Sequence, residues 1–167
     1  MGHQLVLPNG IQGRHQRLAQ NRISTHLMEQ VCDALRAHPN CMKKILIVDD
    51  NADVRRLIRV ALGKTFTLYE AEDGVSGLQK ARDLHPDLMV LDIMMPGSLD
   101  GLQVLDAIRA DPVLKALRVV LVTAKGQTGD VEAGMQRGAE AYFVKPFSPL
   151  LLTAFIQETV DKGVLHV

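Results

Sequence analysis

Four short apolar runs that each end at a polar residue constrain the fold of this chain more than any other feature. The runs are 45–48, 88–91, 119–122 and 141–144, and the polar residues that follow them are Asp49 and Asp50, Asp92, Thr123 and Lys145. In a parallel α/β sheet, the strands end at one common edge, where ligands bind. The pattern therefore predicts a single site that contains three carboxylates, a hydroxyl and an ammonium group.

Apolar runs alternate with helical patterns from Lys43 onward, which predicts strands over about 44–49, 66–70, 88–92, 118–122 and 140–144. The first, third and fourth are continuously apolar, as strands covered by helices on both faces must be. The second alternates more and suits the edge of a sheet. Five βα units with right-handed crossovers predict an α/β fold, a doubly wound five-stranded parallel sheet in the order 2-1-3-4-5.

The helix ends carry signals of their own. Gly63 is placed to end the first helix, Asp100 to cap the third, and Ser148-Pro149 to open the last. The predicted apolar face of the first helix comprises Val54, Leu57, Ile58, Ala61 and Leu62. That of the last comprises Leu151, Leu152, Phe155 and Ile156. A tight turn at Lys145-Pro146 favours a cis peptide bond.

Residues 1–41 differ in composition from the rest of the chain, with four Arg, no Lys and four of the six His. A stripe from Ile23 to Leu35 predicts an amphipathic helix that ends before Pro39. We therefore predict a tail and helix over 1–41 and one domain over 42–163. Two interpretations stay open: the helix packs on the domain or on another copy, or Met42 is the natural start.

Composition argues against several classes of function. The formal net charge is zero, so no global field favours nucleic acid or a membrane surface. No apolar run approaches the roughly 20 residues that span a bilayer. Cys32 and Cys41 are interpreted as reduced thiols. These features predict a cytoplasmic protein without nucleic-acid or membrane partners.

Three neighbouring carboxylates repel one another, and a hard divalent cation removes the conflict. We expect Asp50 and Asp92 to bind Mg²⁺ directly, Asp49 to bind it through a water, and the backbone carbonyl of Met94 to complete the protein ligands. A carboxylate beside such a metal can attack phosphorus. Lys145 and Thr123 would then contact the phosphoryl oxygens. Each residue alone also has an ordinary structural interpretation, such as a helix cap or a loop acid.

The segments 44–50 (KILIVDD), 91–96 (LDIMMP), Thr123-Ala124 and 145–147 (KPF) closely resemble the CheY-like receiver domains of two-component response regulators. The resemblance covers about residues 43–162 and implies the flavodoxin-like receiver fold. It implies that Asp92 accepts a phosphoryl group from a sensor histidine kinase or histidine phosphotransfer protein. It also implies that Asp49 and Asp50 form the acid pair for Mg²⁺, and that Thr123 and Tyr142 are the switch residues. The loop 97–99 is one residue longer than the commonest family spacing.

The sequence thus predicts a single-domain response regulator that signals by protein–protein contact and is not an enzyme acting on a separate substrate. One alternative is a receiver that no longer takes phosphate. Another is a haloacid-dehalogenase-like phosphatase, which would need an acid at Met94. His26 lacks the flanking residues of a phosphodonor histidine. Met94 and Lys125 near the phosphoryl group predict slow dephosphorylation. The cognate kinase, the output partner and a homodimer stay open.

Overall fold

Strands and helices alternate strictly in the computed structural model, which describes residues 42–124 and 128–161. The strands are β1 Lys44–Val48, β2 Thr67–Ala71, β3 Leu88–Asp92, β4 Arg118–Thr123 and β5 Ala141–Val144. The helices are α1 Ala52–Leu62, α2 Gly74–Leu84, α3 Gly101–Ala110, α4 Thr128–Gln136 and α5 Pro149–Asp161. The predicted tail and helix over 1–41 lie outside the described residues, so the division at residue 42 stays a prediction.

The five strands are all parallel and form one sheet in the order β2-β1-β3-β4-β5, which confirms the predicted topology. Val48 pairs with Leu91, and Asp92 pairs with Val122. Thr123 pairs with Val144 at the same end of the sheet. The register therefore brings the polar residues that end or follow these strands to one edge.

The core is divided between the two faces of the sheet. Leu46, Leu91 and Leu121 lie in a cluster with Leu78 of α2 and Leu105 of α3. A second cluster contains residues from the alternate strand positions, together with α1 and α5: Ile45, Ile47, Val90, Val120, Ile58, Leu62, Leu152, Ile156 and Val160. The central strands are thus covered on both sides, which explains their continuously apolar sequences. The more polar β2 lies at an edge, as predicted.

The predicted cap residues lie at the helix ends, and the structure shows a further cap residue at the start of α1. Asp100 and Gln103 form a capping box at the start of α3, with distances of 2.8 and 2.9 Å between side chain and backbone. Gly63 ends α1 with a φ of 60°. The cap of α1 is Asn51, whose side chain accepts hydrogen bonds from two backbone N–H groups. The carboxylate of Asp50 is therefore not consumed as a helix cap.

The observed strand bounds agree with the approximate predicted bounds to within one residue. β1 ends at Val48, before Asp49, and β2 begins at Thr67 and extends to Ala71. β4 includes Thr123, and β5 begins at Ala141, one residue after the predicted start.

Leu57 and Leu151 were predicted on buried faces but are 45% and 67% exposed, because each lies at the border of its apolar stripe. The peptide bond between Lys145 and Pro146 is cis, as predicted.

Gly101 lies very close to the backbone of Asp92 and Ile93 at the end of β3. A Cβ atom there would lie 2.2 Å from the carbonyl oxygen of Asp92 and 2.6 Å from the Cα of Ile93. A Cβ at Gly134 would instead lie 2.5 Å from Leu121 Cδ1, the far end of a side chain. A side-chain tip can move, whereas the backbone of a buried strand cannot move without disturbing its hydrogen bonds.

We therefore predict that Gly101→Ala lowers the free energy of unfolding by about 3 kcal/mol, the upper part of the usual range for overpacking. Gly134→Ala should cost less than about 1 kcal/mol, because the gain in helix propensity offsets a movable contact. Urea denaturation of both variants measures the difference. Equal losses would contradict the assignment of a rigid contact to Gly101.

Candidate functional site

Three carboxylates meet at the edge of the sheet where β1 and β3 end. Oxygen atoms of Asp49, Asp50 and Asp92 all lie within 4.8 Å of one another. Asp49 and Asp92 are only 2% and 3% exposed, whereas Asp50 is exposed to solvent. These are the hard oxygen donors that Mg²⁺ prefers. Mg²⁺ takes one or two carboxylates directly and keeps several waters, so the third carboxylate would contact it through a water.

Lys145 lies between the two buried carboxylates. Its Nζ donates hydrogen bonds to Asp49 Oδ2 at 2.7 Å and to Asp92 Oδ2 at 2.8 Å. Its backbone N–H donates to the carbonyl oxygen of Thr123 at 2.7 Å, which ties the start of the β5–α5 turn to the end of β4. The ammonium group therefore offsets the repulsion between Asp49 and Asp92. Sequence analysis had assigned this lysine to the phosphoryl group alone.

The electrostatics of the site follow from burial and from this ion cluster. Burial raises the pKa of Asp92, and the nearby Asp49 carboxylate adds to the rise; the hydrogen bonds from Lys145 and the Met94 N–H oppose it. Burial alone would lower the pKa of Lys145, but its hydrogen bonds to Asp49 and Asp92 raise that pKa overall. Lys145 thus keeps its positive charge, and Asp92 is more basic than an ordinary aspartate.

Each buried carboxylate is oriented by a hydrogen bond from a backbone N–H group two residues later in its loop. Asp92 Oδ1 accepts a hydrogen bond from the N–H of Met94 at 3.1 Å, and Asp49 Oδ1 accepts one from the N–H of Asn51 at 2.9 Å. Met94 exposes its side chain while Met95 is buried. The role of the Met94 carbonyl as a metal ligand stays a prediction.

Thr123 ends β4 and lies level with Val144 of β5, and Tyr142 lies two residues before Val144 on β5. Thr123 is fully buried, and Tyr142 is half-buried. Both line a cavity of about 500 Å³ together with residues of the β3–α3 loop and of α3, namely Ile93, Met94, Met95, Pro96, Asp100 and Leu102. The structure therefore brings all the predicted site residues to one end of the sheet. Lys125 lies outside the described residues.

Sequence reasoning missed Arg55. This residue of α1 donates from Nη1 to the backbone carbonyl oxygens of Asp49 at 2.7 Å and Asp50 at 3.2 Å. No local pattern distinguishes Arg55 from its neighbours Arg56 and Arg59, since the contact depends on the folded geometry of the connection between β1 and α1.

Residues 45–157 match the family model of the response regulator receiver domain, and the chain belongs to this family. The DNA-binding response regulator MtrA of Mycobacterium tuberculosis (strain ATCC 25618 / H37Rv) is 38% identical over 122 residues, which cover 72% of this chain and 52% of MtrA. The transcriptional regulatory protein ResD of Bacillus subtilis (strain 168) is 42% identical over 107 residues, 64% of this chain and 43% of ResD. The chain thus spans about half the length of these curated relatives.

Solved structures of receivers share the fold. A response regulator structure from Chloroflexus aurantiacus J-10-fl has a TM-score of 0.68 at 30% identity, and the match covers 72% of this chain and 99% of that chain. The chemotaxis protein CheY4 of Vibrio cholerae has a TM-score of 0.66 at 28% identity, covering 71% and 99%. These likenesses confirm the flavodoxin-like receiver fold.

Two further expectations concern nucleic-acid partners and membrane-spanning helices. The expected absence of nucleic-acid partners finds no support, because MtrA is named a DNA-binding response regulator and the match covers only about half of it. Within 42–124 and 128–161, no helix is both long and apolar enough to cross a bilayer.

Because three carboxylates cluster at the site, Mg²⁺ that binds the folded state should stabilise it by mass action, by about 2.7 kcal/mol at a hundredfold excess over Kd. We predict a higher Tm in saturating MgCl₂ than in EDTA at matched ionic strength. Asp50→Ala should lose this response, and Asp83→Asn, an exposed acid of α2, should keep it. A wild-type Tm that ignores Mg²⁺ would count against the metal site.

Proposed function

We propose that this protein is a phosphoacceptor response regulator of a two-component phosphorelay. It takes a phosphoryl group from a sensor histidine kinase or a histidine phosphotransfer protein onto Asp92, and it signals by protein–protein contact. The observation that carries the proposal is the placement of Asp92, buried at the end of β3, with Lys145 Nζ at 2.8 Å and two further carboxylates beside it.

In the proposed reaction, a carboxylate oxygen of Asp92 attacks phosphorus while the bond between phosphorus and the donor histidine nitrogen breaks. The product is an acyl phosphate on Asp92 and a free imidazole on the donor. Asp49 and Asp50, with Asp92 and the Met94 carbonyl, would hold Mg²⁺, which neutralises charge on the transferred group when bound. Lys145 keeps its ammonium within reach of Asp92, and Thr123 supplies a hydroxyl donor at the neighbouring strand end.

Phosphorylation would act as a switch through Thr123 and Tyr142. Both residues line the cavity beside the β3–α3 loop, so a hydroxyl drawn toward the phosphoryl group would change the space available to the Tyr142 ring. A new group that binds one arrangement better than the other shifts a two-state equilibrium. The signal would then be read on the surface formed around β4 and β5.

In the proposed chemistry, Asp92 of the protein itself receives the phosphoryl group from a separate donor, so the protein is a phosphoacceptor and not an enzyme that turns over a substrate. Mg²⁺-dependent phosphotransfer onto Asp92 and later autodephosphorylation both use the same carboxylate. MtrA is named a DNA-binding response regulator and ResD a transcriptional regulatory protein. For this chain, we propose that the phosphorylated protein acts by contact with another protein.

Asp92→Asn should abolish the gain of one phosphoryl group after incubation with acetyl phosphate and Mg²⁺, because the amide cannot act as the nucleophile. Asp100→Asn is the matched control: it makes the same change from carboxylate to amide in the cavity that Thr123 lines, and Asn still caps α3. Intact mass spectrometry measures the labelling. Full labelling of Asp92→Asn would refute the assignment, and no labelling of the wild type would favour an inert receiver.

The rate at which water hydrolyses the aspartyl phosphate should depend on the side chains around the path by which that water reaches phosphorus. Met94 is exposed beside Asp92 and can neither donate nor strongly accept a hydrogen bond. We predict that Met94→Asn combined with Lys125→Glu speeds dephosphorylation and leaves labelling intact. Phosphate release from purified phosphoprotein in Mg²⁺ measures the rate. Equal or slower release from the double variant would show that water access is controlled elsewhere.

A further inference from the structure

Arg55 contacts the loop that carries the acid pair. Its Nη1 lies 2.7 Å from the carbonyl oxygen of Asp49 and 3.2 Å from that of Asp50. Both carbonyls belong to the short connection between β1 and α1, where backbone acceptors need donors from outside the regular elements. A single guanidinium nitrogen therefore fixes two successive peptide groups of this connection.

The guanidinium group of Arg55 is itself held in place. Its Nε donates to Glu70 Oε2 at 3.2 Å, and Arg59 pairs with the other oxygen of the same carboxylate. Glu70 lies on β2, level with Ile47 of β1. Burial would raise the pKa of Glu70, but the hydrogen bonds from Arg59 and Arg55 lower it overall. An ionised Glu70 thus anchors Arg55 to the sheet beside the acid pair.

The two acids of the pair depend on Arg55 to different degrees. Asp49 has further attachments: its N–H donates to the carbonyl of Ala71 at 3.2 Å, and its side chain binds Lys145 and the Asn51 N–H. Asp50 has an exposed side chain, and its peptide carbonyl is held by Arg55. Rotation of that peptide would swing the Asp50 carboxylate away from Asp92.

We propose that Arg55 is a positioning residue for Mg²⁺ binding: by holding the carbonyls of Asp49 and Asp50, it directs the acid pair toward Asp92. This inference rests on the proposed function, because it concerns the same metal site. Residues that orient metal ligands from outside commonly change metal affinity 10–100-fold when they are replaced.

A purely electrostatic effect of Arg55 would have the opposite sign. A positive guanidinium near a cation site repels the cation, so its removal would tighten Mg²⁺ binding. Arg59 separates the two effects, because it carries the same charge and shares the same Glu70 partner, whereas the carbonyl contacts with Asp49 and Asp50 come from Arg55. Arg59 is therefore the matched control for Arg55.

The test is isothermal titration calorimetry with MgCl₂ on the wild type, Arg55→Gln, Arg55→Lys and Arg59→Gln. We expect the Kd for Mg²⁺ to rise about 10–100-fold in both Arg55 variants. Lysine keeps the charge but cannot reproduce the planar guanidinium geometry that holds Glu70 and the carbonyls together. Arg59→Gln should bind Mg²⁺ like the wild type. Circular dichroism in EDTA verifies folding, and Arg55→Lys carries the test if Arg55→Gln does not fold.

Unchanged or tighter Mg²⁺ binding in the folded Arg55 variants would overturn the inference while leaving the proposed function standing. An equal loss of affinity in Arg59→Gln would also overturn it, since the effect would then belong to the shared charge network. Absence of Mg²⁺ binding in the wild type would overturn the proposed metal site and this inference together.

Discussion

The site depends on two buried carboxylates that face each other at the ends of neighbouring parallel strands. Asp49 and Asp92 are almost fully removed from water, and a single ammonium group, that of Lys145, bridges them at 2.7 and 2.8 Å. Loss of one partner from a buried ion cluster typically costs 3–5 kcal/mol, because it leaves an uncompensated charge. The arrangement thus keeps two negative charges close together in a place that suits a divalent cation and a phosphoryl group.

The parallel sheet brings the two carboxylates together, because its strands end at one common edge. β1, β3 and β4 are buried on both faces, and their apolar residues alternate between two core clusters. A slip of one residue would exchange the residues that face the two helix layers, so the close packing of both core clusters would be disturbed. With that register, Asp92 lies level with Val122 and the residues after Val48 reach the same edge. Packing of the core therefore determines the geometry of the charged site.

The sequence predicted the parts of this structure that local patterns encode. Continuous apolar runs that end at Asp49, Asp92 and Thr123 indicated the buried strands and the convergence of their ends. The exposure of Leu57 and Leu151 could not be predicted, because a helical stripe does not say how far the neighbouring layer extends. The bridge from Lys145 to both carboxylates joins residues that are distant in the chain. The contact of Arg55 with the acid loop is close in sequence, but no local pattern marks Arg55 out from the other arginines of α1.

The central claim is that Asp92 becomes an acyl phosphate. The most direct measurement is borohydride reduction of the acetyl-phosphate-treated protein, followed by tandem mass spectrometry of its peptides. Borohydride reduces an aspartyl phosphate to homoserine and leaves free carboxylates intact. Our account predicts homoserine at position 92 and aspartate at positions 49 and 50. Homoserine at either of those two positions, with unmodified Asp92, would contradict it.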